Sequence, residues 1–136
     1  MPYQPVVDSD IAFFKTIIGP DQVLVDAESR QRYGRDETEN LVFPPEVVLK
    51  PSTTEEISAI MKHCNQRCIP VTPRGAGTGL SGGALPHLGG VSLSMERLNR
   101  ILQIDERNLQ VTVEPGVITE VLQNAVKEKG LCYPPD

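Results

Sequence analysis

The run Pro73-Arg74-Gly75-Ala76-Gly77-Thr78-Gly79-Leu80-Ser81-Gly82-Gly83-Ala84 governs the reading of the whole chain, because it gathers five of the eleven glycines into nine positions. Glycine loses more backbone freedom on folding than any other residue, so such a cluster is costly to order and calls for a use of backbone that carries no Cβ. Consecutive main-chain N–H groups in tight turns form a concave anion site, and the hydroxyls of Thr78 and Ser81 with the fixed charge of Arg74 suit a pyrophosphate. A flexible or hairpin-forming glycine loop is the plain alternative. A Walker A loop needs Lys and then Ser or Thr after its second glycine, whereas here Gly82 is followed by Gly83-Ala84. Gly77-Thr78-Gly79-Leu80-Ser81-Gly82 satisfies G-x-G-x-x-G, and Asp105 stands at about the distance of a ribose-binding acid, but that fingerprint must open a helix. The continuation Leu85-Pro86-His87-Leu88-Gly89-Gly90 carries a breaker every few residues and leads into a strand. The loop therefore reads as a strand-to-strand connection that would hold an anion on its own amides.

Upstream of the loop, Val47-Val48-Leu49 is a short buried-strand signal closed by Pro51. Ser52 with Glu55, or Thr53 with Glu56, supplies a capping box for a helix that sets Ile57, Ile60, Met61, Cys64 and Cys68 on one face. Ile69 to Pro73 is the next strand. Strand, helix and strand within about thirty residues make a βαβ unit with parallel strands and a right-handed crossover. Downstream, Val91 to Ser94 reads as a strand, and Ile101 to Ile104 with Leu109 to Val113 as a hairpin about the turn Asp105-Glu106-Arg107-Asn108. After Pro115-Gly116 a helix is predicted from Thr119, its cap, to Lys129, with Val121, Leu122, Ala125 and Val126 on one side. Near the N-terminus, Ile11, Phe14 and Ile18 predict a helix capped by Asp8, Ser9 or Asp10 and stopped at Gly19-Pro20. The charged stretch Ala27 to Glu37 reads as a short helix followed by loop.

The length of 136 residues allows one hydrophobic core, and 11 Gly with 12 Pro imply a loop-rich chain. Eighteen carboxylates against 13 Lys plus Arg give a net charge of -5, which works against binding nucleic acid. No stretch approaches the roughly 20 apolar residues of a membrane span, and Met1 to Asp10 lacks the pattern of a signal peptide. Three cysteines in such a chain read as reduced thiols and a cytoplasmic setting. Cys64 and Cys68 have no second pair at zinc spacing, so no metal site is assigned.

Three motifs in order resemble the FAD-linked oxidases: Pro70 through Ala84, Leu93-Ser94-Met95-Glu96-Arg97-Leu98-Asn99-Arg100-Ile101, and Val111-Thr112-Val113-Glu114-Pro115-Gly116-Val117. The resemblance is to the vanillyl-alcohol-oxidase, PCMH-type FAD-binding domain of the glycolate oxidase and D-lactate dehydrogenase group, and it runs clearly from about residue 40 to 136. It implies an α+β fold: a first subdomain with a small parallel sheet and flanking helices, then the start of a second, incomplete one. Residues 1–40 would be an N-terminal helical lead and 41–136 the N-terminal part of the FAD domain. The resemblance assigns amides of Gly75, Ala76, Gly77, Thr78, Gly79, Ser81 and Gly82 to the FAD pyrophosphate, with Pro73 and Arg74 flanking. It also places Pro134-Pro135-Asp136, and with it Pro135, near the flavin ring. In relatives with covalent flavin a histidine follows the two glycines, and here Thr78 stands there, so noncovalent FAD is expected.

Family members are several times longer, so the chain is expected to be a truncated N-terminal part. It should bind FAD weakly or not at all and turn over neither glycolate nor D-lactate. The catalytic and metal-binding histidines of the family lie elsewhere; His63 and His87 read as structural or solvated, and no catalytic residue is assigned. A small 2-hydroxy acid would bind through the missing part, and other oxidase subunits would be the protein partners, placing the protein in the cytoplasm or peripherally on an inner membrane. The competing readings are a free-standing half-domain that binds a nucleotide or partner without redox chemistry, and a non-binding remnant.

Overall fold

Residues 2–135 are described by a computed structural model. The first helix, α1 (Asp8–Ile18), buries Asp10, Phe14 and Ile18 at the spacing of successive turns. Its cap residue is the extended Val7, not Asp8, Ser9 or Asp10 as predicted. Asp10 instead reaches back from the first turn, its Oδ2 accepting from the Val7 N–H at 2.9 Å. Gly19 (φ 87°) ends the helix, and a 3-10 turn at Pro20–Gln22 leads into β1 (Val23–Leu24), a strand too short to leave a periodic signal. Helix α2 (Ala27–Arg32) follows, capped by Asp26, whose carboxylate accepts from the Ser29 N–H at 2.9 Å. The stretch read as a helical lead thus contributes a strand as well as helices.

Strand β2 (Val47–Leu49) is buried at all three residues. Helix α3 (Thr54–Arg67) takes Thr53 as its cap, with Thr53 Oγ1 accepting from the Glu56 N–H at 3.1 Å and the Glu56 carboxylate accepting from the Ser52 N–H at 2.7 Å. Of the predicted apolar face, Ile60 and Cys64 are buried while Met61 is exposed. Cys68 does not belong to the helix: it caps it in the left-handed conformation at φ 56°. Strand β3 (Val71–Arg74) and strand β4 (Val91–Ser94) complete a four-stranded sheet in the order β1-β2-β4-β3. Val91 stands opposite both Val47 and Val71, in parallel register on each side, while β1 runs antiparallel to β2.

The βαβ unit therefore has parallel strands that are not neighbours, since β4 inserts between them. Composition explains the order: all four residues of β4 are buried, whereas β3 carries Pro73, which has no N–H for a second ladder and belongs at an edge. Val47, Leu49, Val91 and Leu93 alternate onto one face and form a single core with Phe14 and Ile18 of α1 and Ile60 and Cys64 of α3.

A separate two-stranded sheet pairs β5 (Ile101–Asp105) with β6 (Gln110–Val113), antiparallel, with a register shift between Ile101 and Gln103. Leu109, predicted to begin the second strand, adopts φ 55° in the turn. That turn is tied by Asp105, whose Oδ1 accepts from the Asn108 N–H at 3.0 Å. Helix α4 (Thr119–Lys127) ends two residues before the predicted Lys129, and its cap residue is Ile118, not Thr119, with no side-chain hydrogen bond. Asp136 of the Pro-Pro-Asp segment lies outside the described residues. The architecture is α+β, and among the described residues no helix is long and apolar enough to cross a membrane.

Candidate FAD-binding site

Strands β3 and β4 are parallel, so their carboxyl ends open on the same side of the sheet, where ligands of open α/β sheets bind. A cleft of about 490 Å³ lies there. Its wall is made by Arg74, Gly75 and Ala76 from the end of β3 onward, Ser94 and Glu96 at and just past the end of β4, Pro115 to Ile118 ahead of α4, and Tyr33 at the end of α2. Gly116 is required by close approach: a Cβ there would run into the carbonyl oxygens of Met95 and Leu98. Its N–H donates to Leu98 O at 2.7 Å, which pins this wall to the segment after β4.

The predicted loop does join strand to strand, from β3 to β4. Of its assigned residues, Arg74, Gly75 and Ala76 line the cleft, and Gly77 turns the chain at φ 72°. Thr78, Gly79, Ser81 and Gly82 stand outside the lining, where a second segment tethers them: Glu37 N–H donates to Gly79 O at 3.1 Å and Gly82 N–H to Thr38 Oγ1 at 2.9 Å. Asp36 braces that segment by accepting from the Thr38 N–H at 2.8 Å through Oδ1, while its Oδ2 is buried without a partner. Pro73 and Pro135 are both exposed and neither lines the cleft. At Gly75 a Cβ would meet nothing within 4 Å, so the protein leaves the backbone uncovered beside the cleft. An open main chain next to a guanidinium fits a phosphate-bearing cofactor.

Cations concentrate on this side. The Tyr33 ring centroid lies 5.3 Å from the Arg74 guanidinium, 5.5 Å from Lys50 Nζ and 5.8 Å from the Arg32 guanidinium. The Tyr33 hydroxyl donates to Glu96 Oε1, which also accepts from Ser94 Oγ at 3.0 Å and pairs with Lys50 Nζ at 3.2 Å. Burial pushes the Tyr33 phenol up, and its donation to Glu96 raises it further. Burial acts upward on Glu96 too, but the donors Tyr33, Ser94 and Lys50 outweigh it and hold the carboxyl below its ordinary range. Burial would lower Lys50, yet its contacts with Tyr33 and Glu96 leave it raised. Arg74 is pushed down by burial, and among the described residues it forms no ion pair. Tyr33 and Glu96 in the cleft lining, and Lys50 in contact with both, are residues that sequence reasoning missed. The usable signal was a lone aromatic in the polar run Arg30 to Asp36, a position that makes sense only if the ring is buried against something.

Neither histidine lines the cleft. His63 Nε2 lies 2.8 Å from Asp10 Oδ1, and its ring stacks on Phe13 at 4.2 Å between centroids. Arg67 Nε donates to the same oxygen at 3.0 Å. Burial pushes the Asp10 carboxyl up, but hydrogen bonds from Arg67, the Val7 N–H and His63, with the Arg67 charge, override it and bring the pKa to about 2. The Cys64 thiol is pushed up to about 11 by burial and by the Asp10 charge, the behaviour of an inert core thiol. His87 is exposed beside Phe43.

A pair of parallel strands whose carboxyl ends meet a glycine loop and a cation-lined cleft is one part of a cofactor-binding domain. The FAD binding domain family matches residues 45–136, and the chain belongs to it. It is 43% identical over 120 residues to "Glycolate oxidase subunit GlcD" of Bacillus subtilis (strain 168), covering 88% of this chain and 26% of that protein. It is 41% identical over 137 residues to "D-lactate dehydrogenase" of Anaerostipes hadrus, covering 98% of this chain and 28% of that one. Among solved structures, p-cresol methylhydroxylase with substrate bound superposes with a TM-score of 0.81 at 26% identity, over 95% of this chain and 27% of that chain. The resemblance read from the three sequence motifs is thereby borne out, and FAD is the cofactor of this domain. The chain spans about a quarter of the length of the curated relatives it matches.

Proposed function

We infer that the chain is the pyrophosphate-holding part of an FAD-dependent 2-hydroxy-acid oxidoreductase of the glycolate oxidase and D-lactate dehydrogenase type. Residues 1–40 serve as its lead and 41–136 as the N-terminal part of its FAD domain. Amides of the loop from Gly75 to Ser81 hold the phosphates noncovalently, Gly82, whose N–H is held by Thr38 Oγ1, turns the loop at their far end, Arg74 supplies the fixed positive charge, Pro73 flanks the loop and Pro135 lies toward the flavin ring. The observation that carries this reading is the uncovered backbone at Gly75 beside Arg74, which has no ion pair among the described residues, at the carboxyl ends of β3 and β4. The bound FAD would supply a hydride acceptor for oxidation of the 2-hydroxy acid. The substrate cleft and the base belong to the rest of the full-length protein, which works in the cytoplasm with other oxidase subunits.

The test is reconstitution of full-length apoprotein. FAD should bind at least about a hundredfold more tightly than riboflavin, which lacks both phosphates and the adenosine they carry, with charge-assisted hydrogen bonds to the phosphates as the main source. Glycolate or D-lactate should then bleach the flavin absorbance. Equal affinity for FAD and riboflavin would remove the pyrophosphate role, and a flavin that neither acid bleaches would remove the substrate class.

A further inference from the structure

We propose that Tyr33 is a positioning residue for the anion site: it holds the Arg74 guanidinium in place beside the glycine loop and is itself fixed by Glu96 and Lys50. This inference rests on the phosphate-loop reading and adds a residue from the end of α2, about forty positions upstream of the loop, to it. Arg74 is the last residue of β3, and a free arginine there would sample many rotamers. Here its Nη1 donates to the Tyr33 carbonyl oxygen at 3.5 Å, its guanidinium lies 5.3 Å from the Tyr33 ring centroid, and a Cβ on Gly77 would overlap it. Ring and loop backbone together fix where the cation sits. The ring cannot drift, because Tyr33 is only 6% exposed and its hydroxyl donates to Glu96, which Ser94 and Lys50 also hold.

The charge pattern says what the arrangement is for. Arg32, Lys50 and Arg74 surround one ring, and Glu96 offsets a single charge by pairing with Lys50. Arg74 is left without an ion pair among the described residues, its remaining donors free for a ligand anion. Arranging the guanidinium in advance spares the ligand the entropy of ordering it.

The experiment is FAD titration of full-length apoprotein, read by quenching of flavin fluorescence. Tyr33→Leu should raise Kd about tenfold, the size of a desolvated cation–π contact, and Tyr33→Phe, which keeps the ring, only about twofold. The decisive measurement is the cycle with Arg74→Met, because a merely structural tyrosine would weaken binding equally in both backgrounds. The expected result is no further effect of Tyr33→Leu in the Arg74→Met background. Should Tyr33→Leu fail to fold, Tyr33→Phe takes its place in the same cycle, its roughly twofold effect expected to vanish in the Arg74→Met background. Independent, multiplying effects of Tyr33 and Arg74, or an unchanged Kd in both single variants, would overturn the positioning role while Gly75→Val still abolished binding. Retention of FAD by Gly75→Val would instead overturn the loop reading, and this inference with it.

Discussion

Asp10 is 1% exposed and ionised, held by Arg67 and His63 from a helix more than fifty residues away. Removing the carboxylate takes away the acceptor that joins α1 to α3, so Asp10→Ala should lower stability by about 2 kcal/mol in urea denaturation, the size of lost hydrogen bonds to a charged group whose arginine partner reaches solvent. The depressed pKa fixes the sign of the pH effect. With about 2 in the folded state against 3.8 unfolded, the carboxylate stabilises fully above about pH 4 and loses that contribution as the pH falls toward 2. The wild-type midpoint should therefore drop more steeply over this window than that of Asp10→Asn, and parallel slopes would contradict the ion-pair account. From sequence, Asp10 was legible only as a candidate cap, because its partners are remote in the chain. The same limit applies to Gly77. Its place in the loop suggests that Gly77→Val would expel flavin by crowding the phosphates, but the new Cβ would also strike Arg74 and strain a φ of 72°, so loss of flavin there would be ambiguous.

At the scale of elements, local pattern located nearly every helix and strand because each carries its own periodicity or cap, as Thr53 with Glu56 does for α3. It did not reveal β1, whose two residues span no period. Nor did it give the insertion of β4 between β2 and β3, which is a matter of burial and not of local propensity. Pro73 was the available clue, since it restricts β3 to an edge. The approach of the wall before α4 to the end of β4 depends on Gly116, and neither its spacing nor its neighbours announced that contact. Gly116→Ala should cost about 2 kcal/mol by forcing a methyl into two carbonyl oxygens, and a melting temperature within a degree of wild type would contradict the packing.

For the whole molecule, the core joins α1, α3 and the four-stranded sheet, and none of its residues comes from β5, β6 or α4. Ile118 at 62% and Val121 at 53% exposure stand on that second part. Hydrogen exchange should accordingly protect the amides of β2 and β4 far longer than those of the β5–β6 hairpin, and uniform protection would contradict this division. The α+β class and the family were legible in the sequence, since three separated motifs carried them. The composition of the cleft was not, because Tyr33 and Glu96 in its lining, and Lys50 that contacts both, come from three segments that only the fold brings together.

If backbone at Gly75 faces the FAD pyrophosphate, as proposed, a side chain placed there must displace the cofactor. The Gly75→Val side chain begins at a Cβ that meets no protein atom within 4 Å, and it breaks no left-handed conformation, so the variant tests the site without disturbing the fold. The measurement is the flavin content of purified full-length Gly75→Val protein alongside its melting temperature as apoprotein. Near-complete loss of bound FAD with an unchanged apoprotein melting temperature is the predicted result, and flavin retained at the wild-type ratio would contradict it.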